Sequence, residues 1–233
     1  MIKIVLLGDF NPKVPTLIQL DTVAKQLTLE SKGNILFEWF NTDDFDFKTA
    51  FDHEYAGLWI APGSPYRDAN NVLGAIAHAR INKIPTLGNC GGFQHMLIEF
   101  ARNVCDLKNA EHQETHQCAE EPVISKLSCS LVGETEIVNI HSVGSIMHKV
   151  YAAKSILAKY HCNYGFNQSY AKLFVENDLI LTACSSDGAL RGFELKEHPF
   201  FIGTLFQPAL TSDHEQIDPL ILSFVNASEQ HQK

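Results

Sequence analysis

Apolar residues in this chain fall into two alternating rhythms. Ile2–Leu7 is apolar but for Lys3 and ends at Gly8, the pattern of a short strand buried on both faces. Over residues 15–29, Leu17, Ile18, Leu20, Val23, Ala24 and Leu27 recur at helical spacing. Residues 35–39 and 57–61 read as two further strands, the second running into the sharp turn Pro62-Gly63-Ser64-Pro65. Val72, Leu73, Ile76 and Ala77 predict a helix over residues 70–81, and residues 84–87 predict a strand. Met96, Leu97, Phe100 and Ala101 give residues 93–104 a helical inner face. Alternating strands and helices imply an α/β fold: a mostly parallel sheet covered on both faces. Over residues 110–166 the periodicity weakens, and a small antiparallel excursion with loops is expected. Strands resume at Leu179–Cys184, Leu190–Leu195 and residues 200–206, and a helix over residues 216–225 closes the pattern. With no repeat and no Pro/Ser/Gly-rich linker, residues 1–233 read as one domain.

Composition narrows the class. The 233 residues are 45% hydrophobic and 19% charged, as in ordinary globular proteins. A net charge of −9 repels phosphate backbones, so nucleic acid is not an expected partner. No apolar run reaches the roughly 18 residues of a membrane span. The start, Met1 to Asp9, reads as a buried strand rather than an export signal. Six cysteines, at 90, 105, 118, 129, 162 and 184, form no CxxC pair and no zinc or disulfide spacing. Reduced thiols in the cytoplasm are the expected state. No cofactor, metal site or phosphate-cradling loop is expected.

The sharpest local signal is Gly88-Asn89-Cys90-Gly91-Gly92, between a predicted strand and a predicted helix. Glycines around a nucleophile-type residue permit a strained turn that lifts its side chain above the sheet. The positive end of the following helix favours a thiolate. The Gly91 N–H would face an oxyanion, and the turn at Gly63 and Ser64 could supply a second donor. The alternative is an ordinary buried cysteine among packing glycines.

The segment running from Asn82-Lys83-Ile84-Pro85-Thr86-Leu87-Gly88 through Asn89-Cys90-Gly91-Gly92-Phe93-Gln94, followed by Ile98-Glu99-Phe100-Ala101-Arg102-Asn103-Val104, resembles the class I glutamine amidotransferases. It is most similar to the glutaminase domain of CTP synthase, which usually reads NKIPxLGICLGMQ and IEFARNV. Gly192-Phe193-Glu194-Leu195 through His198-Pro199-Phe200-Phe201 is a second match in the expected order. The resemblance implies a Rossmann-like (flavodoxin-like) sheet and a Cys-His-Glu triad that releases ammonia from glutamine through a glutamyl thioester. It places Cys90 as nucleophile and Gln94 and Glu114 among the residues that hold the substrate.

The likeness then breaks. Where the family reads FHPEF, this chain reads Phe206-Gln207-Pro208-Ala209-Leu210. Gln207 stands in the place of the base and Ala209 in that of the carboxylate orienting it; a carboxamide cannot take a proton from a thiol. The family turn PGGFG has become Pro62-Gly63-Ser64-Pro65-Tyr66, and Pro65 has no N–H to donate. Gly91 replaces a leucine, and Asn163 replaces a residue that helps bind the substrate carboxylate. Among the eleven histidines, His116, two residues from Glu114, is the candidate substitute base. His95, His112, His141, His148, His161, His198 and His214 read more readily as solvated or structural, and a metal at His112 and His116 is a weak alternative.

Three functions remain open on these residues. One is Cys-dependent hydrolysis or transfer on a small amide, with altered specificity and little ordinary glutaminase activity. Another is a non-catalytic relative that binds a metabolite or protein. The third is a glutaminase subunit serving a separate synthetase chain, since no synthetase domain is read here. Compatible partners are an amide or amino-acid-like ligand, a second copy of the chain, or that synthetase.

Overall fold

A computed structural model of the protein describes residues 1–232. The elements in order are β1 (Ile2–Leu7), α1 (Pro15–Glu30), β2 (Ile35–Phe40), α2 (Phe47–His53), β3 (Gly57–Ile60), α3 (Ala69–Ile81), β4 (Thr86–Asn89) and α4 (Gly91–Asn103). There follow β5 (Ala110–His112), β6 (Glu121–Lys126), β7 (Thr135–Ile140), α5 (Ile146–Tyr151), β8 (Ser155–Lys159), β9 (Tyr164–Phe166) and α6 (Ala171–Glu176). The chain ends with β10 (Leu179–Cys184), β11 (Leu190–Leu195), β12 (Phe201–Thr204) and α7 (Pro219–His231).

One nine-stranded sheet runs in the order β2-β1-β3-β4-β12-β11-β10-β7-β8. From β2 to β12 every pairing is parallel; from β12 to β8 every pairing is antiparallel. The sheet is therefore mixed, and its antiparallel half is larger than the weak middle segment suggested, because the antiparallel pair β7–β8 joins the main sheet. A separate sheet, β5-β6-β9, stands beside it.

Burial explains which segments were legible. All four residues of β3, β4 and β12 are buried, and Ile4, Val5, Leu6 and Leu7 of β1 are fully inaccessible, so their runs are continuously apolar or small. On β7 and β8, buried positions alternate irregularly with exposed ones such as Ile137 and Leu157, which blurs the period. The short helices α2, α5 and α6 carry no long apolar stripe, and the sequence pattern does not predict them.

Two boundaries move for identifiable reasons. Pro85 offers no N–H to a sheet, and β4 starts after it. Asp218 accepts from Leu220 N–H and Pro219 occupies the first helical turn, so α7 starts there rather than at residue 216. The carboxyl ends of β1, β3, β4 and β12 lie side by side, the place where open α/β sheets form their ligand crevices.

Candidate functional site

Cys90 joins β4 to α4 with φ 51° and ψ −105°, a conformation unfavourable for a residue with a Cβ. Its N–H donates to Thr204 O at 2.9 Å, pinning the elbow to β12. Beneath it runs a buried polar chain. Trp59 Nε1 donates to Asn89 Oδ1 (2.6 Å), Asn89 Nδ2 to Thr204 Oγ1 (2.8 Å), and Thr204 Oγ1 to Phe206 O (2.7 Å). Three strands and the segment leading to Gln207 are thereby fixed relative to the sulfur.

Close approach requires glycine at two elbow positions. A Cβ on Gly91 would lie 2.8 Å from Ser64 N and 3.1 Å from the Tyr66 hydroxyl oxygen, and one on Gly92 would lie 2.5 Å from Ile60 O. The turn after β3 thus packs directly on the first turn of α4. Tyr66 and Ser64 occupy the space that a side chain at residue 91 would need. The Tyr66 hydroxyl donates to Ala61 O at 2.5 Å, and its ring meets His95 edge-on at 4.7 Å between centroids.

A cavity of about 600 Å³ opens above the elbow. Gly63, Ser64, Cys90, Gln94, Glu114, Asn163 and Gln207 all line it. Gln94 is fixed at both ends of its amide: Nε2 donates to Tyr164 O at 2.8 Å, and Oε1 lies 3.0 Å from His112 Nε2. Because Glu114 N–H donates to His112 Nδ1 (3.1 Å), the ring proton belongs on Nε2 and points at Gln94. Burial lowers the His112 pKa to about 3, with His95 nearby adding to the effect, so the ring is neutral. Ser64 Oγ donates to Glu114 Oε2 at 3.0 Å, tying the turn after β3 to the loop after β5.

Around the sulfur itself the partners are a carbonyl and a second thiol. Cys90 Sγ lies 3.7 Å from His161 O as a donor, and the Cys162 side chain is close enough to interact with it. Cys162 Sγ also donates to Leu205 O at 3.4 Å. Burial raises the Cys162 pKa well above the ordinary thiol range, and Cys90 adds to that rise. Gln207 is only 3% exposed; its backbone N–H donates to Lys159 O (3.0 Å), while its Nε2 has no partner.

Comparison with known proteins fits this architecture. The family model "Glutamine amidotransferase class-I" matches residues 25–227. The chain belongs to the class I glutamine amidotransferases. Among curated relatives, the CTP synthase of Cytophaga hutchinsonii is 34% identical over 181 residues, 74% of this chain and 34% of that protein. The CTP synthase of Chlorobaculum parvum is 35% identical over 195 residues, 80% of this chain and 34% of that protein. The amidotransferase chain thus spans about a third of the length of the curated relatives it matches. The glutaminase domain of Trypanosoma brucei CTPS, solved with bound acivicin, has the same fold, with a TM-score of 0.89 at 19% identity over 99% of this chain and 94% of that one. A glutamine amidotransferase from Thermotoga maritima matches with a TM-score of 0.59 at 12% identity over 99% of this chain and 92% of that one.

Within this amidotransferase fold the remaining residues singled out by the sequence lie as follows. Gly91 is the first residue of α4, beneath the Ser64 turn. Ala209 is buried in a one-turn helix, Pro208–Leu210, behind Gln207 and off the cavity wall. His116 is exposed, 3.1 Å from Glu111 Oε2 and 3.1 Å from Thr115 Oγ1, and does not line the Cys90 cavity. His95 does not line the Cys90 cavity, and its Nδ1 lies 2.8 Å from Gly91 O. Among the described residues no group of three or more His, Cys, Asp or Glu could hold a metal ion.

The sequence pattern did not mark Asp9, Phe10 and Asn11 after β1, or Arg67, Cys162 and Tyr164, all of which line the cavity. The signal for the first three was available: Gly8-Asp9 ends a strand of a parallel sheet, where crevices form. Asp9 accepts from Thr42 N–H, Thr42 Oγ1 and Arg67 N–H at 3.0, 3.0 and 2.8 Å, closing that side of the wall. No local pattern marks Cys162, which reaches the site only through the fold.

Proposed function

We propose that this amidotransferase relative carries a degenerate triad, with Gln207 and Ala209 in place of the histidine and glutamate, and that it binds a small amide or amino-acid-like metabolite above Cys90 with little turnover of glutamine. The buried Gln207 carboxamide with its unpartnered Nε2 carries this reading. It offers a hydrogen-bond donor where base catalysis needs an acceptor. A buried amide without a partner costs about 1–3 kcal/mol, and turning the Gln207 carboxamide towards a ligand oxygen in the cavity it lines would recover that cost. The amide N–H of Gln94 not committed to Tyr164 adds a second donor, and Glu114 an acceptor for an ammonium group.

A panel of small amides and amino acids tests the reading by thermal melting. At about 100 times its Kd a ligand stabilises by about 2.7 kcal/mol. The expected result is a rise in Tm for an acceptor-bearing ligand that is lost on Gln207→Leu. An equal rise in the variant would contradict the proposal.

A second reading, slow Cys90-dependent hydrolysis or transfer, is favoured by the strained elbow. Backbone strain of this kind persists where a reactive atom must be presented. Without a base such chemistry loses roughly 10²–10⁴ in rate.

A further inference from the structure

The Cys90 cavity contains a second sulfur, and amide chemistry does not use it. Four observations place the two thiols together. Both line the same cavity. Cys90 Sγ is 3.7 Å from the carbonyl of His161, the peptide group that leads directly into Cys162. The Cys90 N–H sits on Thr204 O and the Cys162 thiol on Leu205 O, consecutive carbonyls at the end of β12. The side chains are close enough to raise the Cys162 proton affinity.

We infer that Cys90 and Cys162 form a reversible dithiol–disulfide pair, Cys90 meeting the oxidant in the open cavity and Cys162 resolving it. The oxidant class is a hydroperoxide. The Cys90 thiolate attacks the distal peroxide oxygen, the O–O bond breaks, and the alkoxide or hydroxide leaves and takes a proton. Cys90 is now a sulfenic acid. The Cys162 sulfur then attacks the Cys90 sulfur; its proton and the departing hydroxide form water, and the S–S bond closes. In total two thiols and one hydroperoxide give a disulfide, an alcohol or water, and one further water. Two equivalents of a small thiol return the pair to the dithiol and become a disulfide themselves.

The division of labour follows from position. Cys90 sits on an elbow that faces a cavity open to solvent, at the N-terminus of the 13-residue helix α4. Cys162 is buried and hydrogen-bonded to a carbonyl, so it holds its proton until the sulfenic acid forms beside it. Pairing the two sulfurs would also remove the nucleophile from the cavity and so couple ligand capture to the oxidation state. This inference shares with the proposed ligand binding only the accessibility of Cys90, and binding of an amide ligand can fail without affecting it.

The test is peroxide titration of the full chain followed by mass spectrometry and peptide mapping. The expected wild-type result is a monomer about 2 Da lighter, with two of the six thiols lost and a single Cys90–Cys162 linked peptide, reversed by a small thiol. Cys162→Ala should instead accumulate a sulfenic acid at Cys90, trapped by a cyclic dione, and Cys90→Ala should show neither product. Wild-type mapping decides the question even if Cys162→Ala does not fold. A stable sulfenic acid at Cys90 in the wild type, or a disulfide through any other cysteine, would overturn the inference.

Discussion

At the scale of single residues, the backbone at Cys90 is the most informative. A left-handed φ with ψ −105° is costly for any residue bearing a Cβ, by about 1–3 kcal/mol, and nearly free for glycine. At ordinary positions alanine is favoured over glycine by roughly 0.4–1 kcal/mol. The order should invert here: Cys90→Gly is expected to be more stable than Cys90→Ala by about 1 kcal/mol in urea denaturation. If Ala is the more stable, the elbow holds no strain. The elbow was legible because its glycines are adjacent in sequence to the cysteine. The residues around the sulfur were not: Tyr66, His161 and Cys162 arrive from β3's turn and from the segment between β8 and β9, and only topology brings them in.

At the scale of elements, helix α4 must be held steady for the elbow to work, and a buried ion pair does part of this. Arg80 on α3 donates to Glu99 on α4 through Nε (2.9 Å) and Nη2 (2.7 Å), while Asn103 Nδ2 donates to the same carboxylate at 3.0 Å. The Glu99 side chain has no exposure. Removing the guanidinium strands a buried charge, so Arg80→Ala should cost about 3–5 kcal/mol in chemical denaturation. A loss under about 1 kcal/mol would show that the pair behaves as an exposed one and holds nothing in place. Neither partner's role could be read from periodicity, because Glu99 sits one residue after the apolar Ile98 and looks like a solvated position. The parallel half of the sheet was legible because β1, β3, β4 and β12 are buried on both faces. In the antiparallel half β10 and β11 were legible at their observed bounds, but β7 and β8 were not, since they are half exposed and mix buried with exposed apolar residues.

At the scale of the whole molecule, buried imidazoles tie stability to pH. Burial lowers His95 and His198 to about 4 and His112 to about 3. In the unfolded chain each titrates at about 6.5, so between these values the unfolded state binds more protons and stability rises with pH. Acidification from about 6.5 towards 4 should therefore destabilise the protein, by at most about 1.4 kcal/mol per pH unit for each histidine. Glu194 and Asp218, pushed up by burial, act in the opposite sense near the carboxylate range. The histidine share is isolated by His95→Gln, whose stability against pH should be shallower than wild type over that window. Identical slopes would remove His95 from the account.

If Gln207 and Ala209 leave Cys90 without a working base, as proposed, steady-state hydrolysis of glutamine shows it. Wild type should release ammonia little faster than Cys90→Ala, because loss of a base costs roughly 10²–10⁴ in rate. Turnover at the rate of a base-equipped glutaminase, lost in Cys90→Ala, would contradict this.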